Sequence, residues 1–264
     1  MTRRYPSARA KSSAPAVGSV TLVEGRSKEL TSLAGRVIAI AGAGGNLGRT
    51  VVGRLAASGA VLALGGRDSS PLDALAKDLG IEADTASVDL LDADSARTWA
   101  EGIVARHGRV DGLVHLVGGW RGGAPIEEAP LEDWDFLHGL LIRTVQHATK
   151  AFAPHLLTSG RGRFVIVSSA QGQAPTHTNA AYAAAKAAAE AWTLALADRF
   201  RGSGATANII VVGAIVTPAM RAESPDKNFS TFTSAEEIAD AIACLCSDAA
   251  ASMNGQRITL RGAS

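Results

Sequence analysis

Short apolar runs alternate with stretches of helical periodicity along most of the chain. The runs "RVIAIAG" (36–42), "AVLALGG" (60–66), "ADTASVDL" (83–90) and "VDGLVHLVGG" (110–119) read as strands, as do "GRFVIVSS" (162–169), "TANIIVVGA" (206–214) and "QRITLRG" (256–262). Helical patterns fill the gaps: 47–58, "SPLDALAKDLG", "SARTWAEGIVARHG", 134–156, an alanine-rich stretch over 179–200, and "SAEEIADAIACLCSD". The last opens with Ser234 and has Glu237 three residues on, the pattern of a capping box. Near-continuous apolar strands separated by helices predict an α/β fold, a parallel sheet covered on both faces. No repeat and no second domain interrupts the alternation.

The chain has 264 residues, 47% of them hydrophobic, which suffices for one well-buried domain over 31–264. Its net charge of +1 provides no field to draw it to nucleic acid or an anionic membrane. Residues 1–30 differ: they are rich in Arg, Ser, Ala and Lys, and Glu24 is the first acid. They lack the continuous apolar core of a secretory signal and are expected to form a disordered basic tail, a weak transit-peptide pattern being the alternative. No apolar run is long enough to span a bilayer. Cys244 and Cys246, two apart on a helix, make a poor disulfide pair and read as buried residues of a reducing, cytoplasmic protein. No spacing of histidines and acids suggests a metal.

Candidate chemistry gathers where strands end. "AGAGGNLG" (41–48) lies between the first strand and its helix. Glycines there let backbone approach a pyrophosphate at a helix N-terminus. An acid at the end of the second strand would hydrogen-bond a ribose 2′-hydroxyl, but the sequence has Gly66 and Arg67 instead. A guanidinium suits a 2′-phosphate, so NADP is expected over NAD, with Asp68 beside it the opposing feature. In "NAAYAAAK" (179–186), Tyr182 and Lys186 share one helical face. A free phenol titrates near about 10, and a neighbouring ammonium favours its phenolate. Ser169, thirteen residues before Tyr182, stands at the end of the fifth strand, where open α/β sheets bind ligands.

Together, "AGAGGNLG", "VDLLD" (88–92), "LVHLVGG" (113–119), "VSS" before "YAAAK", and "VVGAIVTP" (211–218) make the chain resemble the short-chain dehydrogenase/reductase family over about residues 34–262. The resemblance implies a three-layer Rossmann fold with a doubly wound, seven-stranded parallel sheet. It implies a small-molecule carbonyl or alcohol substrate, with Tyr182 as acid/base, Lys186 lowering its pKa and binding the nicotinamide ribose, and Ser169 orienting the carbonyl. Gly42, Gly45, Asn46, Leu47 and Gly48 would cradle the pyrophosphate, and Asp89 and Leu90 would lie against adenine. Gly118 and Gly213 would approach the cofactor, and Ile215 and Thr217 the carboxamide. A homodimer or homotetramer is also implied.

Three departures from the family pattern stand out. Asn46 replaces a glycine, leaving Gly42, Gly45 and Gly48 at the spacing of the family's extended branch; Asn tolerates a left-handed backbone if the turn needs one. His115-Leu116-Val117-Gly118 replaces Asn-Asn-Ala-Gly. Leu141 stands where the family has an asparagine that holds a water linking the lysine to solvent. The stretch "VGGWRGG" (117–123) resembles dihydropteridine reductases instead, which gives a second reading. A third is a cofactor-binding homologue with little turnover, favoured by these departures and opposed by the intact Ser169, Tyr182 and Lys186. Trp120 and Arg121 read either as pocket lining or as a surface loop, and His177 as a loop histidine.

Overall fold

The structure is a computed structural model that describes residues 31–262; the basic leader falls outside the described residues. In chain order the strands and helices are β1 (Val37–Ala41), α1 (Gly48–Ala57), β2 (Val61–Gly66), α2 (Ser70–Leu79), β3 (Ala83–Ser87) and α3 (Ala93–His107). They continue with β4 (Gly112–His115), α4 (Leu131–Leu137), a π-helical segment (His138–Arg143), α5 (Thr144–Ser159), β5 (Arg163–Ser169), α6 (Ala180–Arg199) and β6 (Thr206–Val212). The last are β7 (Ile215–Val216), α7 (Pro218–Glu223), β8 (Thr233–Ser234), α8 (Ala235–Cys246) and β9 (Arg257–Leu260).

The seven expected strands form one parallel sheet in the order β3-β2-β1-β4-β5-β6-β9. Wound outward twice from β1 and β4, it is a Rossmann fold. One face carries a core of Trp99, Phe152, Phe164 and their neighbours from α3, α5 and α6; Trp99 meets Phe152 edge-on, centroids 5.0 Å apart. The other buries Leu55, Leu72 and Ile242 under α1, α2 and α8. The capping box is formed: Ser234 Oγ accepts from the Glu237 N–H at 3.2 Å, and the Glu237 carboxylate accepts from the Ser234 N–H at 3.0 Å.

Several elements differ from the sequence expectation. β4 stops at His115, well short of 119, because beyond Leu116 the chain leaves β1 at the point where the winding reverses. β3 stops at Ser87. The helix expected over 134–156 starts at Leu131, runs to Ser159 and contains the π-helical turn over His138–Arg143. β7 and β8 form a small separate parallel ladder that the sequence did not indicate.

Two glycines of the first turn fix its shape. Gly42 has φ +78°, and a Cβ on it would lie 2.8 Å from the Val117 nitrogen. A Cβ on Gly48 would lie 1.8 Å from the Ala43 carbonyl oxygen, so α1 can start this close to β1 only with glycine there. Asn46 is exposed, and no non-glycine residue among those described has positive φ, so the turn makes no use of asparagine's left-handed tolerance. Gly48→Ala is expected to destabilise the fold by about 1–3 kcal/mol through overpacking. Gly102→Ala, mid-helix in α3 with open space around it, should instead stabilise by about 0.5–1 kcal/mol. Urea denaturation of the two variants checks the opposite signs.

Candidate active site

The carboxyl ends of β1, β2 and β4 open onto a cleft of about 770 Å³. Its floor is the glycine turn: Gly42 and Gly45 line it, Gly48 starts α1 behind it, and Leu47 is half-buried between. The Gly118 backbone forms part of the wall, and a Cβ there would make only an ordinary contact, 3.8 Å from the Leu116 carbonyl oxygen. Asp89 and Leu90 line the same cleft, and His147 of α5 pins that segment by a 3.0 Å contact from Nδ1 to the Leu90 carbonyl. Arg67 is exposed at the lip, and its guanidinium has no ion-pair partner among the described residues. Asp68 also lines the cleft, and its Oδ1 accepts from the Ser70 N–H at 2.9 Å, at the start of α2.

Ser169, Tyr182 and Lys186 come together beside this cleft. Ser169 ends β5 and Tyr182 lies in the first turn of α6, with the Ser169 hydroxyl near enough to the phenol to act on its pKa. Ser169 Oγ also accepts from the Gln171 N–H at 3.2 Å. Lys186 is buried, its Nζ donating to the Val167 carbonyl at 3.0 Å and standing 5.8 Å from the centre of the Tyr182 ring. Burial pushes the Tyr182 phenol up and the Ser169 hydroxyl opposes it. The resemblance implied a lowering; here burial of the phenol is the larger influence. Burial lowers Lys186 to about 8, against the pull of Glu190.

The alanines of α6 serve two ends. Ala185 is fully buried and packs with Leu137, Leu141 and Ile142, so the small side chain admits the π-helical segment. Ala184 and Ala187 are exposed. Leu141 itself is buried in that apolar group and offers no polar atom from its side chain.

Gly213, Ile215 and Thr217 follow β6, outside the lining of the main cleft. Gly213 is exposed, Ile215 belongs to β7, and Thr217 Oγ1 accepts from the Met220 N–H at 3.2 Å, capping α7. Trp120 and Arg121 do line the cleft. The Arg121 guanidinium stacks 3.8 Å from the Phe136 ring centre and bonds Asp133 at 3.1 Å. His177 is exposed on its loop. No helix among the described residues is long and apolar enough to cross a membrane, and no group of three or more His, Cys, Asp or Glu among them could hold a metal.

A family model described as short chain dehydrogenase matches residues 36–228. The chain belongs to this family. Short-chain dehydrogenases are oxidoreductases that bind NAD or NADP. The glycine turn, the bare backbone at Gly118 and the size of the cleft fit such a dinucleotide. Among the relatives of this dehydrogenase, a 3-oxoacyl-[acyl-carrier-protein] reductase of Thermotoga maritima is 30% identical over 87% of the chain and 98% of that protein. A gluconate 5-dehydrogenase of Gluconobacter oxydans is 29% identical over 89% and 96%. Among solved structures, a short-chain dehydrogenase/reductase from Mycobacterium ulcerans superposes with TM-score 0.79 at 26% identity, over 87% of this chain and 89% of that one.

His115 is a departure whose setting the sequence did not disclose. It ends β4, is 3% exposed, and its Nε2 has no hydrogen-bond partner among the described residues. Burial, then the nearby Lys186 ammonium, push it down to about 3. Its folded pKa thus lies below the unfolded value, so between these the unfolded chain binds the extra proton. Stability is therefore expected to fall as pH drops from about 6.5 toward 3. His115→Asn should flatten that slope in urea denaturation at stepped pH; an unchanged slope would contradict a buried neutral imidazole.

Proposed function

We propose that this dehydrogenase is an NADP-dependent oxidoreductase acting on a carbonyl/alcohol pair, with Tyr182 transferring the proton. The observation that carries the reading is the gathering of Ser169, Tyr182 and Lys186 at the carboxyl end of β5, with Lys186 Nζ 5.8 Å from the centre of the Tyr182 ring, beside a cleft that fits a dinucleotide. When bound, the nicotinamide supplies or accepts the hydride. The chain's own residues do the rest. Ser169 donates to the substrate carbonyl oxygen and holds it beside the phenol. Tyr182 gives its proton to that oxygen during reduction and recovers it in the reverse direction. Its raised pKa keeps it protonated at neutral pH, which suits the acid role in carbonyl reduction. Lys186 adds the positive charge that stabilises a developing phenolate.

Gly42, Gly45, Asn46, Leu47 and Gly48 present the turn and the start of α1 to the pyrophosphate. Asp89, Leu90 and Gly118 flank the cofactor, and Gly213, Ile215 and Thr217 sit toward its nicotinamide end. Arg67, with no other ion pair among the described residues and with Asp68 engaged at α2, supports NADP over NAD. The relatives named as a 3-oxoacyl reductase and a gluconate dehydrogenase both act on carbonyl/alcohol pairs, which supports the reaction class. The presence of Ser169, Tyr182 and Lys186 together at the end of β5 speaks against the reading as a binding protein with little turnover, and Ser169 speaks against the dihydropteridine-reductase likeness, whose branch departs at the serine.

Tyr182→Phe is expected to lower kcat roughly 10²–10⁴-fold in NADPH oxidation over a panel of ketones, with NADPH still bound. In the same assay Arg67→Ala should weaken NADPH, and not NADH, by roughly tenfold to a hundredfold. Full activity of the phenylalanine variant, or equal wild-type affinity for the two cofactors, would count against the reading. The exposed Trp192 on α6 is consistent with a homodimer or homotetramer. Light scattering at micromolar concentration checks this, and a monomer would contradict it.

A further inference from the structure

Glu190 lies one helical turn beyond Lys186 and two beyond Tyr182, so all three occupy the sheet-facing side of α6. It is 2% exposed. A carboxylate this deep needs donors to keep its charge. Ser168 Oγ donates to Oε1 at 2.6 Å, Arg257 Nε of β9 donates to Oε2 at 2.6 Å, and Gln173 Nε2 reaches Oε2 at 3.4 Å. The Arg257 side chain is 41% exposed, so the cluster runs from water at β9 inward to the buried half of α6. On β5 the chain alternates between the two residues: Val167 takes the lysine's hydrogen bond through its carbonyl, and Ser168 gives its own to the glutamate.

A neutral amide at 190 has one acceptor oxygen and could not accept on both sides from Ser168 and from Arg257 and Gln173. The carboxylate also adds charge. The groups that face Lys186 are His115 from β4, the Val167 carbonyl from β5, and Tyr182 and Glu190 on its own helix; Arg257 of β9 stands behind Glu190. His115 is neutral and the phenol is protonated, so of these groups only Glu190 is negative. We propose that Glu190 is a positioning residue for Tyr182 and Lys186: its buried carboxylate keeps the Lys186 ammonium charged, and Arg257 at the rim governs how much of that charge Lys186 feels. The consequence for turnover rests on the acid/base reading of Tyr182 and Lys186; the consequence for the lysine's charge does not.

The test is a ¹³C NMR titration of the lysine ε-carbons in the full chain without cofactor, the Lys186 signal being assigned by its loss in Lys186→Met. Glu190→Gln keeps the shape and one acceptor oxygen but removes the charge, and the Lys186 midpoint should fall by about one pH unit. Arg257→Gln frees the carboxylate from its surface cation, and the midpoint should rise. If Glu190→Gln fails to fold, Arg257→Gln decides alone. A midpoint that stays put in the folded variants overturns the proposal. The alkaline limb of NADPH-dependent reduction should follow the NMR midpoint in each variant. A midpoint that moves as expected in a protein that turns over no ketone upholds the role of Glu190 and removes the dehydrogenase reading. An unmoved midpoint in an active enzyme does the opposite.

Discussion

A lysine ammonium held almost out of water is the constraint around which this site is arranged. Lys186 is 8% exposed, and burial costs an ammonium far more than it costs a phenol. The protein meets that cost with a backbone carbonyl of β5, a carboxylate one turn along the same helix, and a neighbouring histidine kept neutral. Each of these depends on the parallel sheet. β4 and β5 are in register from Gly112 to His115, which sets the imidazole and the end of β5 on the same side as α6. A charge stabilised this way is preorganised, and preorganised charge is what a proton transfer at an adjacent phenol requires.

The cofactor cleft depends on a second, steric condition. α1 begins close against β1 because Gly48 has no Cβ to strike the Ala43 carbonyl, and the turn passes under Val117 because Gly42 has none either. Together these set the glycine turn as the floor of the cleft with the start of α1 directly behind it, the end of a helix that favours an anion. The two conditions meet at β4, whose short ladder carries His115 on the lysine side and then releases the chain into Gly118 and the cleft wall.

The architecture was legible because strands buried on both faces must be apolar throughout, and the five inner runs stand out from the helices between them, while β3 and β9 at the edges are only partly buried. Ser169, Tyr182 and Lys186 were singled out by their spacing together with the family resemblance, and the structure brings them to one end of β5 and α6. Glu190 was not: an acid in a helix rich in alanine reads as a solvated charge, and its partner Arg257 is far away in sequence. The i, i+4, i+8 series of Tyr182, Lys186 and Glu190 was the available signal. The π-helical turn at His138–Arg143 left no mark in the sequence, because hydrophobic periodicity is too coarse to register one extra residue per turn. The direction of the Tyr182 shift also needed the structure. It depends on how deeply the phenol is buried, which four-residue spacing does not determine.

The most direct test of the central claim, that hydride and proton are exchanged with a carbonyl at the end of β5, is isotope transfer. Incubating the full chain with NADPH deuterated at the transferring C4 position and a panel of ketones, then reading products by mass spectrometry, follows the hydride itself. The account predicts an alcohol carrying one deuterium on the former carbonyl carbon. NADPH that binds yet leaves every ketone unlabelled would contradict it.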